Sequence, residues 1–308
     1  MAHGVMFHHF HSESHAPKPG SIDAEGFRRL VRHLQESFNL LPAKVFLDKA
    51  LSKSLEPDDV VLTFDDALKS QVDVALPVLD DLSLTAVFNV YSSVFSGEPD
   101  PLEIYADFRA IAFDSFSGFW QDFRATSSAQ FPGETARLGS EYPPDYLSNF
   151  SFYSVEERQF RFLRDTLLGP SLYRVVMDEM IAHSSYDLSS RIGLLWMDKG
   201  DLSRIAEGGG HTVGLHSHTH PTRMSALSRE DQKREYALNF QWIVSELGVT
   251  PTVVAHPCGD YSKETLEILE SLGIRVGFRS SLTPGLYDST LEIPRQDHAV
   301  LMKELALL

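Results

Sequence analysis

Two short clusters in this chain hold the side chains needed for metal-assisted hydrolysis: Thr63-Phe64-Asp65-Asp66 and His216-Ser217-His218-Thr219-His220. One carboxylate and two imidazoles leave positions on a divalent ion open to water, the pattern of a catalytic rather than a closed structural site. The other aspartate is then available as a general base. His216 and His220, spaced i and i+4, face one way on a helical turn, which points His218 elsewhere and excludes it. An extended segment would instead turn all three histidines to one side and make His218 a competitor. No Glu follows His216, so the zinc-protease pattern His-Glu-x-x-His is absent. A solvated Asp-Asp pair at a helix start would explain the first cluster alone, but not its company with the second.

These groups need strand ends to hold them. Val60-Val61-Leu62 reads as a buried strand that ends in the two acids, and Val213-Gly214-Leu215 as another that ends in the histidines. Neighbouring residues of a regular strand point to opposite faces, so Asp65 and Asp66 share a site only if the strand stops there and Ala67-Leu68-Lys69 turns. Val5 to Phe7 reads as a first strand. A helix capped near Asp23 follows, with Phe27, Leu30, Val31 and Leu34 as its inner stripe. A helix around Pro77 to Leu82 and a strand over Thr85 to Val90 continue a β-α-β rhythm, which implies parallel strands with right-handed crossovers. The rhythm lapses from about 96 to 195, an aromatic and charged stretch with a helical run from Glu156 to Leu168. It resumes with a helix capped by Ser228 (stripe Tyr236, Phe240, Ile243, Val244, Leu247) and a strand at Val253-Val254-Ala255. A helix capped by Ser262 and stopped by Gly273, a strand at Val276 to Phe278 and a last one at Ile293-Pro294-Arg295 follow.

The bulk properties narrow the partners. Length and 43% hydrophobic content suffice for a large core, and the formal charge of -16 argues against long nucleic acid or an anionic membrane as a partner. The one cysteine, Cys258, excludes an internal disulfide framework and fits a reducing compartment. With no basic leader before an apolar stretch and no long apolar run, a cytoplasmic protein without membrane insertion is expected. Its oligomeric state is left open.

The two clusters resemble the polysaccharide deacetylases, the NodB-homology family of metal-dependent N-deacetylases. The first family motif, Thr-Phe-Asp-Asp-Gly, stands here as Thr63-Phe64-Asp65-Asp66-Ala67, and the second, His-Ser/Thr-x-x-His, as His216 to His220 followed by Pro221. A third, Tyr-Pro-Tyr-Gly-Asp-Tyr in one branch, appears as His256-Pro257-Cys258-Gly259-Asp260-Tyr261; the Arg that orients the catalytic acid in other branches has no evident counterpart. The resemblance covers roughly 1–95 and 196–301. It implies a distorted (β/α) barrel of about seven parallel strands, here forming a single catalytic domain over 1–308 with a largely helical insertion at about 96–195 as a cap. It assigns the metal to Asp66, His216 and His220 and the base to Asp65. Zn²⁺ is the expected ion, with Co²⁺, Ni²⁺ or Mn²⁺ as substitutes.

The remaining roles stay open at this point. His298, after the last strand and beside Asp297, is a candidate acid for the leaving amine, as the family's acid is a histidine of its final motif. His256 is its rival. His8 and His9, with His11, follow Met6-Phe7 where family members often carry Met-Tyr-His. They line the substrate pocket or decorate a loop, while His256, Pro257 and Arg295 complete the expected substrate contacts. Cys258 reads as a packed residue, because no basic partner adjoins it. Arg161 or Arg164 of the insertion are candidates to meet a substrate anion, with nothing local to choose between them. The expected activity is removal of an N-acetyl group from a small amino sugar, nucleotide-linked or free, on the way to a surface glycan. The alternatives are a metal-dependent hydrolase of another C–N bond, as in a cyclic ureide, imide or formamide, and an inactive sugar-binding module.

Overall fold

The computed structural model describes residues 1–18, 20–148, 153–207 and 210–305 of the chain. Within them every strand pairs in parallel: β1 (His3–Phe7), β2 (Asn39–Leu40), β3 (Asp59–Asp65), β4 (Val87–Val90), β5 (Thr212–Leu215), β6 (Val253–Ala255), β7 (Val276–Phe278) and β8 (Arg295–Asp297). Their order is β7-β6-β5-β4-β3-β1-β8, with β2 beside β3. A parallel bridge from Phe278 to Ile293, just ahead of β8, links the two ends of that order. The sheet therefore nearly closes into a distorted (β/α) barrel.

Helices α1 (Ala24–Ser37), α2 (Ala43–Leu51) and α3 (Leu76–Leu82) connect the first strands. Next come α4 (Pro101–Ala112), α5 (Phe116–Gln130), α6 (Pro132–Glu141), α7 (Val155–Phe162) and α8 (Gly169–Ala182). The chain continues with α9 (Leu188–Leu195), α10 (Lys199–Glu207), α11 (Arg229–Leu247), α12 (Lys263–Ser271) and α13 (His298–Glu304). It divides into two compact units: Met1–Asp100 with Arg191–Leu308, which holds the barrel, and Pro101–Ser190, which is helical. No helix among the described residues is long and apolar enough to cross a membrane.

Strand alternation sorts the barrel's core into two clusters. Leu62 and Phe64 of β3 pack with Val5, Phe7 and Phe88 against Phe27, Leu30, Val31 and Leu34 of α1. The odd positions face the other way, and Val61 joins Val87, Val253, Val276 and Phe278 against Ala43, Phe46, Leu47 and Ala50 of α2. Burying each such Val, Leu or Phe contributes about 1.5–3 kcal/mol. Thr63 and Asp65 share the Val61 face, so β3 delivers its last carboxylate to the barrel interior.

The caps expected at Asp23, Ser228 and Ser262 form, accepting from the backbone N–H of Gly26, Asp231 and Thr265. On α11, Tyr236, Ile243 and Leu247 are buried while Val244 is 38% exposed. Four elements of the barrel unit, β2, α2, α10 and α13, were not anticipated. The last displaces the final strand from Ile293-Pro294-Arg295 to Arg295–Asp297 and makes Asp297 a helix cap, accepting from Ala299 N–H.

In the helical unit, Phe119, Phe123, Phe160 and Tyr173 form an aromatic core of mainly edge-to-face contacts. Phe119 and Phe123 meet Phe160 with ring centres 5.3 and 5.0 Å apart. Ser154 and Glu157 close a capping box at the start of α7, which runs on into a π-helical turn at Leu163–Leu168.

Candidate active site

β3 ends at Asp65, and the next two residues, Asp66 and Ala67, are left-handed at φ 76° and 52°. For non-glycine residues this costs roughly 1–2 kcal/mol each. The turn ends the alternation of the strand, so both carboxylates reach one place. It is held by Gln71, whose Nε2 donates to the carbonyls of Asp65 (2.6 Å) and His8 (3.0 Å), and by Met197 N–H donating to Ala67 O at 2.9 Å.

Asp65 is 1% exposed and fully engaged. Oδ1 accepts from Asn89 Nδ2 and Arg295 Nη1, each at 2.8 Å, while Arg295 Nη2 lies 2.7 Å from Oδ2. Burial alone would raise the pKa of Asp65; Arg295, then His216, overcome this and hold it down at about 2. Arg295 was expected to meet substrate. It is instead 1% exposed and committed, with Nε donating to Arg279 O at 2.8 Å and Nη1 also reaching Thr63 Oγ1 at 3.2 Å. It comes from β8 because β1, with only Gly4 in the way, lies between β8 and β3. A Cβ at Gly4 would sit 3.0 Å from Arg295 Cγ. A second glycine serves Asn89: a Cβ on Gly214, across from it on β5, would fall 2.6 Å from Asn89 Oδ1.

The histidines follow β5, but not on a helical turn. His216 to His220 is a loop with Ser217 and His220 left-handed at φ 66° and 54°. Its shape is set by α11. Asn239 Oδ1 accepts from His216 N–H at 3.0 Å, and the Glu235 carboxylate accepts from the N–H groups of His218 and Thr219. His218 is turned to Ser92, Nδ1 to Oγ at 2.9 Å. His216 and His220 converge, ring centres 4.8 Å apart.

Asp66, His216 and His220 thus offer ligand atoms that all lie within 4.8 Å of one another. Asp66 Oδ1 is 3.3 Å from His216 Nε2 and 3.5 Å from His220 Nε2, yet is buried without a hydrogen bond of acceptable geometry. His216 Nδ1–H donates to Ala255 O at 2.8 Å, which leaves the Nε2 lone pair facing Asp66. These residues fit a divalent cation, which would satisfy the orphaned oxygen and both imidazoles. Burial would raise Asp66, but His220 and His216 hold it well below the usual carboxylate range. Burial depresses His220 to about 4, which favours the neutral, ligating imidazole. His216 is raised: burial opposes this, but Asp65 and Asp66 prevail.

The other expected residues divide. His8 is half-buried with Nε2 3.8 Å from Asp65 Oδ2, close to the site; His9 is also half-buried beside it in sequence. His11 is held by Ser21. His256 and Pro257 are buried, and His256 Nε2–H bonds Leu291 O at 2.8 Å with its ring stacked on Tyr261. Burial lowers its pKa to about 4, and its Nδ1 is buried without a partner. His298 does not pair closely with Asp297, 3.9 Å away and occupied as a cap. Its Nδ1 bonds Met6 O at 3.2 Å, its ring stacks on Phe7, and Nε2 is buried without a partner. Burial lowers its pKa, and the opposing effect of Asp297 does not make up for it. Cys258 is exposed, but burial of its thiol and the nearby Asp66 push it up to about 11, so it is not a thiolate. Asn89, Gln71, Glu235 and Asn239 were not singled out from the sequence; isolated amides and a helix Glu carry no local signal.

A family model described as polysaccharide deacetylase matches residues 180–277. Those residues carry the polysaccharide deacetylase signature. The matched stretch contains His216, His220 and His256, whereas Asp65, Asp66 and Arg295 lie outside it and join the site through the fold. No curated protein matches the chain. Among solved structures, the chain is similar to the Streptococcus pyogenes deacetylase PplD in complex with acetate (TM-score 0.55, 15% identity, 96% of this chain and 91% of that one). It is also similar to IcaB from Ammonifex degensii (TM-score 0.54, 13% identity, 96% and 91%). A third is the BpsB deacetylase domain from Bordetella bronchiseptica (TM-score 0.52, 14% identity, 96% and 94%). At such identities these likenesses establish the fold. The deacetylase signature and the barrel therefore rest on separate observations.

Proposed function

We propose that the chain is a metal-dependent hydrolase that removes the N-acetyl group of an amino sugar. The observation that carries this reading is the convergence of Asp66, His216 and His220 around an unsatisfied carboxylate oxygen, beside a second aspartate locked by Arg295. Asp66, His216 and His220 would hold the ion, Zn²⁺ by donor set. When bound, the ion would polarise the acetamide carbonyl and lower the pKa of the attacking water towards about 7, which lets a carboxylate as weakly basic as Asp65 serve.

Asp65 takes the proton of the attacking water. Its Oδ2 is the oxygen turned to the site, 3.9 Å from His216 Nε2 and 3.8 Å from His8 Nε2. Arg295 keeps the carboxylate ionised and fixes its plane, so no reorganisation is needed as the proton moves. The water oxygen bonds to the acetyl carbon; the C–N bond then breaks as the nitrogen gains a proton, giving acetate and a free amine. His298 is our proposed donor of that proton, supported by an Nδ1 fixed on Met6 O that leaves Nε2 unpartnered. His8, with half-buried access beside Asp65, and His9 are proposed to contact substrate.

We further propose a single catalytic unit with Pro101–Ser190 as its insertion, acting in the cytoplasm on a small amino sugar, free or nucleotide-linked. In support, the helical unit interrupts the barrel sequence between β4 and β5, so both of its ends join the unit that carries Asp65 and His216. The test measures acetate released from N-acetylglucosamine, its uridine diphosphate conjugate and an N-acetylated oligomer, with a cyclic ureide in parallel. Turnover of the small sugars that chelator removes supports the proposal. Preference for the oligomer would overturn the substrate size, and ring opening of the ureide without acetate release would overturn the reaction.

A further inference from the structure

The helical unit carries a group of arginines that the proposed reaction does not use. We propose that Arg109 of α4, Arg161 of α7 and Arg164 of the π-helical turn after it form a binding site for a phosphate-class anion.

Arg109 and Arg164 both stand against the Phe160 ring, and Arg161 stands over Tyr153. Arg109 Cζ lies 5.9, 5.7 and 5.8 Å from the ring centres of Phe116, Phe119 and Phe160. Arg164 Cζ is 5.5 Å from Phe160 and 5.8 Å from Tyr173, and Arg161 sits 4.0 Å over Tyr153. Ring faces attract cations and hold these planar groups without consuming their N–H donors. Like charges gathered in this way repel one another: the charge of Arg109 is disfavoured by burial, then by Arg161 and Arg164, and that of Arg161 by burial, then by Arg164.

The compensation is incomplete. Among the described residues only Arg164 of the three has an ion pair, both oxygens of Asp165 accepting from its Nε and Nη2 at 2.5 and 2.9 Å. Asp165 acts on Arg161, and Glu157 on both Arg109 and Arg161, without forming an ion pair with either, and Glu157 Oε2 accepts from Ser154 N–H at 2.7 Å in the capping box. Among the described residues, Arg109 and Arg161 therefore keep donor forks without a hydrogen-bonded acceptor, in a chain whose formal charge is -16. A phosphate monoester or diphosphate brings roughly two negative charges and several acceptor oxygens, which match two forks. A carboxylate brings one charge and would leave one fork unmatched. Arg164 lies in the π-helical turn Leu163–Leu168, and such turns are frequent at functional sites. The aromatic surface would also suit a sugar or base attached to the phosphate.

Calorimetric titration of the full chain at low ionic strength tests the site, with pyrophosphate, a hexose 6-phosphate, uridine diphosphate and glucuronate as probes. At least one phosphate probe should bind more tightly than glucuronate. Arg109→Gln and Arg161→Gln should each weaken it about tenfold, the loss expected for charge-assisted hydrogen bonds. Arg124→Gln, on the exposed face of α5, should leave it unchanged. Tighter binding of the hexose phosphate or of uridine diphosphate than of pyrophosphate supports the site and tells a sugar phosphate from a nucleotide. Equal affinity in wild type and both variants, or glucuronate as the tightest ligand, overturns the proposal. A second measurement avoids variants: pyrophosphate should protect Arg109 and Arg161 of the wild-type chain from phenylglyoxal, mapped by peptide mass. Equal labelling with and without pyrophosphate overturns it as well. Neither readout depends on deacetylase turnover, so this site can fail while the hydrolase reading stands.

Discussion

Replacing Arg295 with Met removes the cation from beneath the candidate base and keeps most of its volume. Asp65 then loses partners at 2.8 and 2.7 Å in a place where both side chains are 1% exposed. Removing one partner of a buried pair costs about 3–5 kcal/mol, because the remaining charge stays desolvated. At about 2 °C or more per kcal/mol, the melting temperature should fall by roughly 6 °C or more. The sign with pH follows from the wild-type carboxyl, held at about 2 against an ordinary 3.8. This depression stabilises the metal-free fold by about 2 kcal/mol above pH 4, and the contribution is lost as the pH falls from about 4 to 2. In Arg295→Met, burial prevails and the carboxyl pKa rises. The stability deficit should then be largest at neutral pH and narrow in acid, and the acid limb of kcat/KM should move to higher pH. Thermal unfolding and acetate release across the acid-to-neutral range measure both. Adding Asp65→Asn to Arg295→Met should cost less than the two single losses combined, since no stranded carboxylate remains. A variant that melts within about one degree of wild type, with its acid limb unmoved, would show that this ion pair neither supports the fold nor sets the base.

Asp65→Asn should keep one equivalent of metal by elemental analysis while turnover falls by about 10²–10⁴-fold, whereas Asp66→Ala should lose the metal itself; equal metal content in the two would refute the division of roles. Gly214→Ala places a methyl 2.6 Å from Asn89 Oδ1 and 2.9 Å from Val253 Cγ1. It should cost about 1–3 kcal/mol in denaturant titrations and lower turnover by displacing an Asp65 donor; wild-type stability would mean the sheet yields there at no cost. If His298 is the acid, its lowered pKa puts the alkaline fall in rate below the ordinary His value of 6.5, and His298→Ala should abolish that limb. A limb that persists in a folded His298→Ala protein would assign the proton to another group.

Much of the barrel is legible in the sequence because its strands are short apolar runs and its helices begin at cappable residues. Asp23, Ser228 and Ser262 mark their helices through local hydrogen bonds that depend on nothing distant. The same local logic was available for Asp297, which caps α13 rather than pairing closely with the adjacent His298. The motif spacing brought Asp65, Asp66, His216 and His220 to attention. The reason first read into the histidine spacing, a helical turn, differs from the loop that joins them, which is fixed by Glu235 and Asn239 of a later helix.

Local residue order accounts for the chemical types: two carboxylates at the end of one buried strand and two imidazoles after another, with apolar periodicities that require parallel α/β packing. Only the tertiary structure decided which side chain stands against which. Arg295 is 230 residues from Asp65 along the chain, yet bonds it because β1 lies between β8 and β3 and Gly4 leaves room for the guanidinium stem. Asn89 and Gly214 become partners through the β4–β5 register, and His256 is held by a hydrogen bond to Leu291 O. Strand order and register are global results of closing a sheet around one core, and no window of neighbouring residues encodes them.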